Sequence, residues 1–481
     1  MPHLSPEDTV SISPADAYGA SKTPATLEEW EAFLNAIDIH HIELGLERVS
    51  RVYRALGLDK ARERACVVTV GGTNGKGSTA SFVALSARLS GYSAGLYTSP
   101  HLERFTERVN VNGVEAAAED FCAALSAVHT CALELKTELT YFEYTTLAAL
   151  WIFARHQLAL WVLEVGLGGR LDAVNVIYAD VAVVVSVGFD HMQFLGHTLS
   201  AIASEKAGII HSGSVAVTGD LEEEALSVIR RRLEESGAHP WFNPRSTQLV
   251  FKEQGGILSP RNMPAAPVSS QDSDSLGYAL AHGGFSFERS ALPGAALHCA
   301  LNTLLAISTC QNFSFKVAAV RRALVEAALP CRMERFTCEG RWIILDGAHN
   351  VPAMRNLRAT LDAEGVLQES SEVSFVIGML KDKDIEGVLS QIALAGASYY
   401  LTSLQGSRGA PADRLCSALL ACGVPKSAIQ SYNEVEAAFN GALCARSRYL
   451  VGCGSFVTAS AIRRLLLRKG CTSSKGGTEP K

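Results

Sequence analysis

The sequence lacks the features that would place the protein in a membrane or on a nucleic acid. No apolar run approaches the roughly twenty residues that a membrane-spanning helix needs. Basic residues are not in excess, since 43 lysines and arginines stand against 49 aspartates and glutamates, for a net charge of −6. This mild acidity gives no support to binding of nucleic acid or of an anionic membrane surface.

Targeting signals and cysteine motifs are also missing. Residues 1–30 carry several acidic residues and a single lysine, and no basic segment precedes an apolar one. We therefore expect a cytoplasmic protein rather than a secreted or imported one. The 12 cysteines are scattered along the chain, with no C-x-x-C pair and no zinc-site spacing. This pattern predicts reduced, buried thiols.

What is present is a long alternation of two apolar patterns. With 481 residues, 48% of them hydrophobic, the chain is long enough for two or three domains with substantial cores. Buried-strand patterns alternating with helical ones predict an α/β fold, in which a mostly parallel sheet is covered on both faces. The strand patterns are residues 66–70, 94–97, 158–165 and 181–187 in the first part of the chain, and 342–345, 373–377, 398–401 and 449–452 in the second.

Composition suggests where the domains begin and end. Residues 1–24, rich in Ser, Pro, Ala and Asp, are predicted to be a flexible N-terminal segment. Residues 25–330 are predicted to form the larger domain, in which residues 243–285 break the alternation as irregular loops or a local insertion. Residues 331–470 are predicted to form a second, smaller domain, and residues 471–481 a disordered polar tail.

The stretch CVVTVGGTNGKGST at residues 66–79 looks like a phosphate-binding loop with an unusual spacing. Val70 stands where the common pattern has its first glycine, and Gly77 separates Lys76 from Ser78. The residues leave open a damaged loop, an ordinary tight turn between strand and helix, or a different nucleotide-binding loop. Backbone N–H groups at a helix N-terminus, together with the positive charge of Lys76, favour phosphate binding.

Three further segments follow predicted strands and should gather at the same sheet edge, where ligands of open parallel sheets bind. They are YTSPH at 97–101, LEVG at 163–166 and SVGFDH at 186–191. Glu164 is either an unusual buried acid or a magnesium ligand, and Ser99 and His191 complete a possible small ligand set. Histidine is an untypical magnesium ligand, so the residues alone favour a hydrogen-bonded core histidine at position 191.

Lys206 occupies an unexpected place in a helical pattern. The helix that begins near Thr198 has an apolar stripe that includes Leu199, Ile202 and Ile209, and Lys206 lies within that stripe. One interpretation is a lysine whose stem packs while its ammonium reaches water. The other is a buried amine with a special chemical task.

Seven motifs in order carry a resemblance to a known family. They are GTNGKGS at 72–78, YTSPHL at 97–102, TYFEYTT at 140–146, LEVGLGGRLDAVN at 163–175, SEKAGI at 204–209, LDGAHN at 345–350 and GMLKDKD at 378–384. The chain resembles bifunctional dihydrofolate synthases/folylpolyglutamate synthases of the Mur ligase superfamily, from about Leu44 to Thr458 outside residues 243–285. The fold implied is a P-loop-type ATPase domain with a mostly parallel sheet, followed by a smaller Rossmann-like α/β domain.

The resemblance implies an ATP-dependent ligase that needs magnesium, with two ions expected. Ser99, Glu164 and His191 match the family's magnesium ligands, which reverses the interpretation of His191 from the residues alone. Lys206 matches the lysine that the family carboxylates with CO₂, and the resulting anion helps to bind a second magnesium. The implied ATP-binding residues are Gly72, Thr73, Asn74, Gly75, Lys76, Gly77, Ser78, Asn302, Arg332 and Asp346.

The resemblance also implies the other substrates. His349 and Ser455 match glutamate-site residues, and Lys76, Lys206 and His349 are the expected catalytic residues. The expected substrates are dihydropteroate, tetrahydrofolate with its polyglutamates, and L-glutamate, bound by a monomer. The positions that match the dihydropteroate pocket of bifunctional members are Thr140, Phe142, Asp172 and Ala173.

Two departures from the family pattern lie near the expected hinge. Cys331 stands where the family usually has glycine before Arg332, and Cys299 replaces a common glutamine between His298 and Asn302. We expect these changes to affect the geometry of the hinge more than the chemistry.

Three alternatives to the bifunctional enzyme stay open at this point. One is a folylpolyglutamate synthase without dihydropteroate activity. Another is a peptidoglycan-type amide ligase, against which TYFEYTT and GGRLDA favour a pterin substrate. The third is a nucleotide-binding regulator without catalysis, which would not need the LDGAHN motif.

Overall fold

A computed structural model describes most of the chain. The described residues are 23–37, 43–238, 241–242, 249–252, 255–258, 286–287, 299, 302–304, 306–307, 310, 313–327 and 329–474. Two large sheets form within them, one in the first part of the chain and one after residue 330. No helix of the described part is long and apolar enough to cross a membrane.

The first sheet has eight strands in the order β4-β3-β2-β5-β1-β6-β7-β8. Its strands are β1 Cys66–Gly71, β2 Ala94–Tyr97, β3 Val109–Val111, β4 Val114–Glu115, β5 Leu160–Glu164, β6 Val181–Val184, β7 Val215–Thr218 and β8 Trp241–Phe242. From β2 to β8 all neighbours are parallel, and β3 and β4 add an antiparallel edge. The predicted mostly parallel sheet is therefore confirmed.

Helices cover both faces of this sheet. They are Leu27–Ala36, Glu47–Ala55, Leu58–Arg62, Lys76–Leu89, Ala118–Glu134, Tyr141–Arg155, Met192–Leu195, Leu199–Ala207, Glu223–Ser236 and Val317–Glu326. Successive strand residues face opposite sides. Val67 and Trp161 join one apolar cluster, whereas Val68 and Val162 join the cluster on the other face. Two-sided burial explains why these strands are continuous apolar runs in the sequence.

Two of the three strands of a small antiparallel sheet lie in the region predicted to be irregular loops or an insertion. Its strands are β9 Leu249–Lys252, β10 Gly255–Leu258 and β11 Ser286–Phe287. Residues 249–252 and 255–258 thus form regular strands instead of loops alone. The other residues of 243–285 lie outside the described part of the chain, as do residues 1–22 of the N-terminal segment.

The second sheet has seven strands in the order β16-β15-β14-β17-β13-β12-β18. They are β12 Glu334–Cys338, β13 Arg341–Leu345, β14 Val373–Ile377, β15 Ser398–Thr402, β16 Ile429–Tyr432, β17 Tyr449–Cys453 and β18 Ser473–Ser474. β12 runs antiparallel to both of its neighbours, β13 and β18, and the other neighbouring strands are parallel. Its helices are Val351–Ala363, Ile385–Ser390, Ala412–Ala421, Val435–Cys444 and Phe456–Arg468.

The C-terminal tail differs from the prediction at its start. Residues 473–474 pair with Arg335 and Phe336 as an edge strand, although residues 471–481 were predicted to be disordered. The polar composition of this stretch does not prevent pairing, because edge pairing uses backbone groups. Residues 475–481 lie outside the described part.

Candidate active site

The glycine-rich loop between β1 and the helix Lys76–Leu89 lies at the centre of the first sheet. β1 is flanked by β5 and β6, so the carboxyl ends of three strands meet there. Gly75 precedes the helix with a φ of 86°, and Gly72 has a φ of 144°, both in the region that favours glycine. A Cβ on Gly72 would lie 3.0 Å from the backbone nitrogen of Ser186. The two glycines therefore let the loop turn sharply against the segment after β6.

Hydrogen bonds fasten this loop to the segment that follows β6. The Asn74 N–H donates to Ser186 Oγ at 2.9 Å, and the Ser186 hydroxyl donates back to the Asn74 carbonyl at 2.9 Å. The Thr73 hydroxyl and the backbone of Gly188 are bonded in both directions at 3.1 and 3.0 Å. These four hydrogen bonds hold the loop against the segment that follows β6.

Lys76 folds back over the loop. Its ammonium donates to the carbonyl oxygens of Gly72 at 3.1 Å and Thr73 at 3.2 Å. Burial lowers the pKa of Lys76, while the nearby carboxylates of Glu164 and Asp190 favour its charged form. The arrangement places a positive charge beside the N-terminus of the helix Lys76–Leu89, as a phosphate site requires.

Glu164 ends β5 beside the loop and is 4% exposed. Its Oε2 accepts the Ser99 N–H at 3.0 Å, and a Cβ on Gly77 would lie 3.2 Å from the same oxygen. Burial raises the pKa of Glu164, and the charge of Lys76 partly opposes this rise. A carboxylate kept in such a place without a full ion pair is suited to a bound cation.

His191 lies at the same edge, at the N-terminus of the helix Met192–Leu195 with a φ of 49°. Burial lowers its pKa to about 4 despite the neighbouring carboxylate of Asp190. An imidazole, a buried carboxylate and the Ser99 hydroxyl could hold a magnesium ion together with oxygen ligands from waters and phosphates. Within the described residues no group of three or more His, Cys, Asp or Glu side chains is arranged for a metal. The fit therefore depends on such non-protein ligands.

Lys206 is buried, with 3% of its surface exposed, on the inner face of the helix Leu199–Ala207. Burial, together with the positive charge of Lys76, lowers its pKa to about 7. A large fraction of the amine is therefore neutral near pH 7. Of the two interpretations from the sequence, the position of Lys206 agrees with a buried amine. It does not agree with a packed stem whose ammonium reaches water.

The GGRLDAVN segment is clamped onto the end of the lysine helix. The Arg170 N–H donates to the Glu205 carbonyl at 2.8 Å, and its guanidinium donates to the Glu205 carboxylate at 2.8 and 3.1 Å. The buried Asn175 amide donates to the carbonyl oxygens of Arg170 and Gly208 at 3.0 and 3.2 Å. The contact fixes the pterin-site candidates relative to Lys206.

Asp172 organises this segment from within. Its carboxylate accepts the backbone N–H groups of Leu167 at 2.8 Å and Val174 at 2.9 Å. Burial raises its pKa to about 6, although these hydrogen bonds oppose the rise. Ala173 is buried next to it. Asp172 thus holds the loop in shape as well as being a candidate to bind substrate.

The other two pterin-site candidates begin the helix Tyr141–Arg155. Thr140 caps this helix by accepting the Glu143 N–H at 3.3 Å, and the Glu143 carboxylate accepts the Thr140 N–H at 2.8 Å. Phe142 lies against Gly166, where an added Cβ would be 2.6 Å from the ring. Phe142 is therefore brought to the GGRLDAVN loop, whereas the Thr140 hydroxyl is already engaged in a cap.

Arg332 and Asp346 face the phosphate loop from the side of the second sheet. The Arg332 guanidinium lies 4.3 Å from the centre of the Phe456 ring. Asp346 follows β13 and accepts the N–H groups of Met333 at 2.9 Å and Ala348 at 2.8 Å. Burial raises the pKa of Asp346, against the effect of Arg332. Cys331 has a φ of 55°, the left-handed conformation for which the family's usual glycine is better suited.

His349 and Ser455 lie on neighbouring segments of the second sheet. His349 Nδ1 is 2.7 Å from the Gly347 carbonyl oxygen, and its ring centre is 6.0 Å from that of Phe456. Ser455 caps the helix Phe456–Arg468, with its Oγ accepting the Thr458 N–H at 3.0 Å. Phe456 follows Ser455 directly, so one segment contacts both His349 and Arg332.

A cavity of about 320 Å³ lies between the two sheets. The loop residues Thr73, Asn74 and Ser78 line one side, and Arg332 and Asp346 line the other. Most of the predicted ATP-binding residues thus face one space. It has the place expected for a nucleotide that bridges the two sheets.

Asn302 is an exception among the predicted ATP-binding residues. It is 1% exposed, and its amide donates to the Val185 carbonyl at 3.4 Å behind the loop. The neighbouring Cys299 lines the cavity. Asn302 therefore supports the loop from below, and His298 lies outside the described residues.

No role was assigned from the sequence to three residues at the centre of the site, Asp190, Asn350 and Lys383. The Lys383 ammonium is 2.6 Å from an oxygen of Asp190, and the Asn350 amide donates to the other oxygen at 2.9 Å. All three lie inside quoted motifs, yet their chemistry alone did not distinguish them from surface residues. Their place in the sequence could have identified two of them, since Asp190 precedes His191 and Asn350 follows His349.

Comparisons with known proteins agree with this geometry. Residues 70–238 match the Mur ligase middle domain, and residues 331–454 match the glutamate ligase domain of Mur ligases. The chain is 36% identical over 443 residues to the dihydrofolate synthase/folylpolyglutamate synthase of Escherichia coli strain K12, covering 92% of this chain and 95% of that protein.

Solved structures give the same result. Escherichia coli FolC in complex with DHPP and ADP is 33% identical with a TM-score of 0.79, covering 93% of this chain and 100% of that chain. The bifunctional folylpolyglutamate synthase/dihydrofolate synthase of Yersinia pestis, complexed with AMPPNP and Mn ion, is 31% identical with a TM-score of 0.77 and the same coverage. The resemblance inferred from the motifs is confirmed, and the chain belongs to the dihydrofolate synthase/folylpolyglutamate synthase family of ATP-dependent Mur-type ligases.

Proposed function

We propose that the protein uses ATP to join L-glutamate to dihydropteroate, and further glutamates to the γ-carboxyl groups of tetrahydrofolate and its polyglutamates. The observation that carries the proposal is the shared cavity, in which the phosphate loop faces Arg332 and Asp346. The TYFEYTT segment, which begins the helix Tyr141–Arg155, and the clamped GGRLDAVN loop support a folate-type acceptor over other substrates of amide ligases.

The chemistry follows from the poor reactivity of a carboxylate, whose leaving group would be oxide. The γ-phosphoryl group of ATP moves to a carboxylate oxygen of the acceptor, giving an acyl phosphate and ADP. The amino group of glutamate attacks the acyl carbon, the carbon–oxygen bond to phosphate breaks, and the nitrogen loses a proton. Lys76 and Arg332 neutralise the charge that is shared between phosphate and carboxylate, and Ser78 helps to hold the phosphates.

The metal-binding part of the proposal rests on the donor set at the sheet edge. Ser99, Glu164 and His191 would hold one magnesium ion, and carboxylated Lys206 would help to hold a second. When bound, magnesium neutralises phosphate oxygens. The neutral Lys206 amine adds to CO₂, forms a nitrogen–carbon bond and loses a proton, so that a cation becomes an anion. The lowered pKa of Lys206, about 7, supports this step.

The remaining site residues are assigned by position. His349 and Ser455 orient glutamate, and Asp172, Ala173, Phe142 and Thr140 form the dihydropteroate pocket. Residues 25–330 serve as the ATP- and pterin-binding domain and residues 331–470 as the glutamate-binding domain. The enzyme acts as a monomer in the cytoplasm.

Release of ADP by the purified protein tests the proposal. The assay contains ATP, magnesium and L-glutamate, with dihydropteroate or tetrahydrofolate as acceptor. Turnover with both acceptors is expected. Turnover with tetrahydrofolate alone would leave a folylpolyglutamate synthase, and no turnover despite nucleotide binding would contradict the ligase. Oxygen-18 in the acceptor carboxylate should appear in the released phosphate, and its absence there would exclude the acyl phosphate.

A further inference from the structure

Asp190 of the first sheet is surrounded by side chains of the second. Its carboxylate is 9% exposed and lies 2.6 Å from the Lys383 ammonium, which is 7% exposed. The Asn350 amide donates to it at 2.9 Å, and His349 Nε2 lies 3.4 Å away. From its own side it accepts the His191 N–H at 2.9 Å. Three partners of one buried carboxylate thus come from the other sheet.

A side chain that only fills an interface does not need so many polar partners. A buried ion pair adds little stability, because removing both charges from water costs about as much as their attraction returns. Removing one partner of such a pair lowers the stability strongly, since the other charge then stays buried without a partner. The Asp190–Lys383 pair is therefore better suited to fixing one geometry than to stabilising the contact between the two sheets.

The group that this geometry fixes is the His349 ring. Its Nδ1 contacts the Gly347 carbonyl at 2.7 Å within its own segment, and its Nε2 faces Asp190. The two contacts define the plane of the imidazole. Asp190 belongs to the segment that also carries His191, so the ring is aligned with the phosphate edge of the other sheet.

We propose that Asp190 and Lys383 are positioning residues, which hold His349 in register with the phosphate site and so couple nucleotide binding to glutamate use. The inference rests on the proposed role of His349 in orienting glutamate. Lys383 neutralises and fixes the Asp190 carboxylate, and Asp190 in turn fixes the imidazole. Neither side chain takes part in bond making.

A second contact between the sheets provides the matched control. Arg463 of the helix Phe456–Arg468 pairs with Glu103 at 3.2 Å, and both are about one-fifth exposed. This pair also joins the two sheets, but it does not contact His349. Glu103→Gln therefore removes an ion pair between the sheets and leaves the Asp190 network in place.

The test compares Lys383→Met, Asp190→Asn and the double variant with Glu103→Gln, using the ADP-release assay with tetrahydrofolate. Each single variant is expected to raise the KM for L-glutamate by about ten- to a hundredfold, with nucleotide affinity changed less than about threefold. The double variant should be no worse than either single variant, because both remove the same constraint. Lys383→Arg should recover part of the loss, and Glu103→Gln should leave the glutamate KM unchanged.

Other results overturn the inference. An unchanged glutamate KM in Lys383→Met, additive losses in the double variant, or an equal effect of Glu103→Gln would each remove the positioning role. Wild-type protein without glutamate-dependent turnover would contradict the proposed function instead.

Hydrogen exchange separates the two failures, because it needs no turnover. Backbone amides of residues 345–350 should exchange faster in Lys383→Met and Asp190→Asn than in wild type, and at the wild-type rate in Glu103→Gln. Equal exchange in all four proteins would overturn the network itself.

Discussion

The side-chain amides of Asn74 and Asn350 hydrogen bond to each other in both directions, at 3.0 and 3.1 Å. Asn74 belongs to the phosphate loop, and Asn350 begins the helix Val351–Ala363 of the second sheet. Its Oδ1 also accepts the Ala353 N–H at 2.9 Å, as an N-cap does. One buried amide therefore caps a helix and joins that helix to the loop that is proposed to hold ATP.

Replacing Asn350 separates these roles. Asn350→Ser keeps a good N-cap but removes the amide contacts to Asn74 and Asp190, so the free energy of unfolding should fall by about 1–3 kcal/mol. Asn350→Asp keeps the cap as well, but it places a second carboxylate where the amide contacts Asp190 at 2.9 Å. We expect the Asp variant to lose about 1–3 kcal/mol more than the Ser variant, since it brings two buried carboxylates into contact in place of an amide–carboxylate hydrogen bond. Chemical denaturation measures the difference.

Turnover provides the second measurement on the same pair of variants. Both lose the donor to Asn74, so both should show weaker ATP use, and the Asp variant should be slower. Equal stability and equal rates in the two variants would show that Asn350 acts only as a helix cap.

Lys206 provides a prediction about CO₂. Its amine reacts only when neutral, and burial lowers its pKa to about 7. At a fixed pressure of CO₂, carboxylation and activity should therefore rise as the pH increases through about 7 and then level off. An exposed lysine, with its higher pKa, would still be mostly protonated there. Activity measured against pH and CO₂, with carbon-13 NMR of protein treated with labelled CO₂, checks this.

The matched variant for this experiment is Lys206→Arg, which keeps a positive charge and cannot be carboxylated in this way. This variant should show no carbon-13 signal, and its rate of turnover should be lower by about a hundredfold or more. Lys60→Met, at an exposed lysine, is the control and should keep both. A carbon-13 signal that persists in Lys206→Arg would assign the modification to another residue.

Strands and their shared edge were the predictable part of this protein. Ala94–Tyr97 and Val373–Ile377 have the predicted bounds, because two-sided burial demands continuous apolar residues. Glu164 and His191 were predicted to meet at one edge because parallel strands end together. This reasoning applies within one sheet.

Contacts between the sheets could not be predicted in the same way. Asp190 and Lys383 are separated by 193 positions, and no periodicity relates them. An aspartate after a strand and a lysine in KDKD are ordinary surface residues until the folded chain buries both. Likewise, the left-handed conformation of Cys331, φ 55°, is set by its surroundings and is unusual for a non-glycine residue.

Asp172 allows the two acceptor substrates to be distinguished. The sequence predicts that Asp172→Ala impairs the dihydropteroate reaction more than the tetrahydrofolate reaction. The structure adds a second effect, because the carboxylate also accepts the Leu167 and Val174 N–H groups at 2.8 and 2.9 Å. We expect a loss of about 1–3 kcal/mol in unfolding free energy from the unpaired N–H groups. We also expect kcat/KM for dihydropteroate to fall about tenfold further than for tetrahydrofolate.

The control is a variant that loses stability at a distant site, which should not change the ratio of the dihydropteroate rate to the tetrahydrofolate rate. Thr26→Ala removes the cap of the helix Leu27–Ala36, where Thr26 Oγ accepts the Glu29 N–H at 3.3 Å, and should cost about 1 kcal/mol without changing the preference between acceptors. Asp172→Asn keeps one acceptor oxygen for the loop, so it should restore much of the stability while the preference stays altered. If Asp172→Ala slows both reactions equally and Asp172→Asn restores both, the residue shapes the loop without contacting the pterin, since only a direct contact distinguishes the two acceptors.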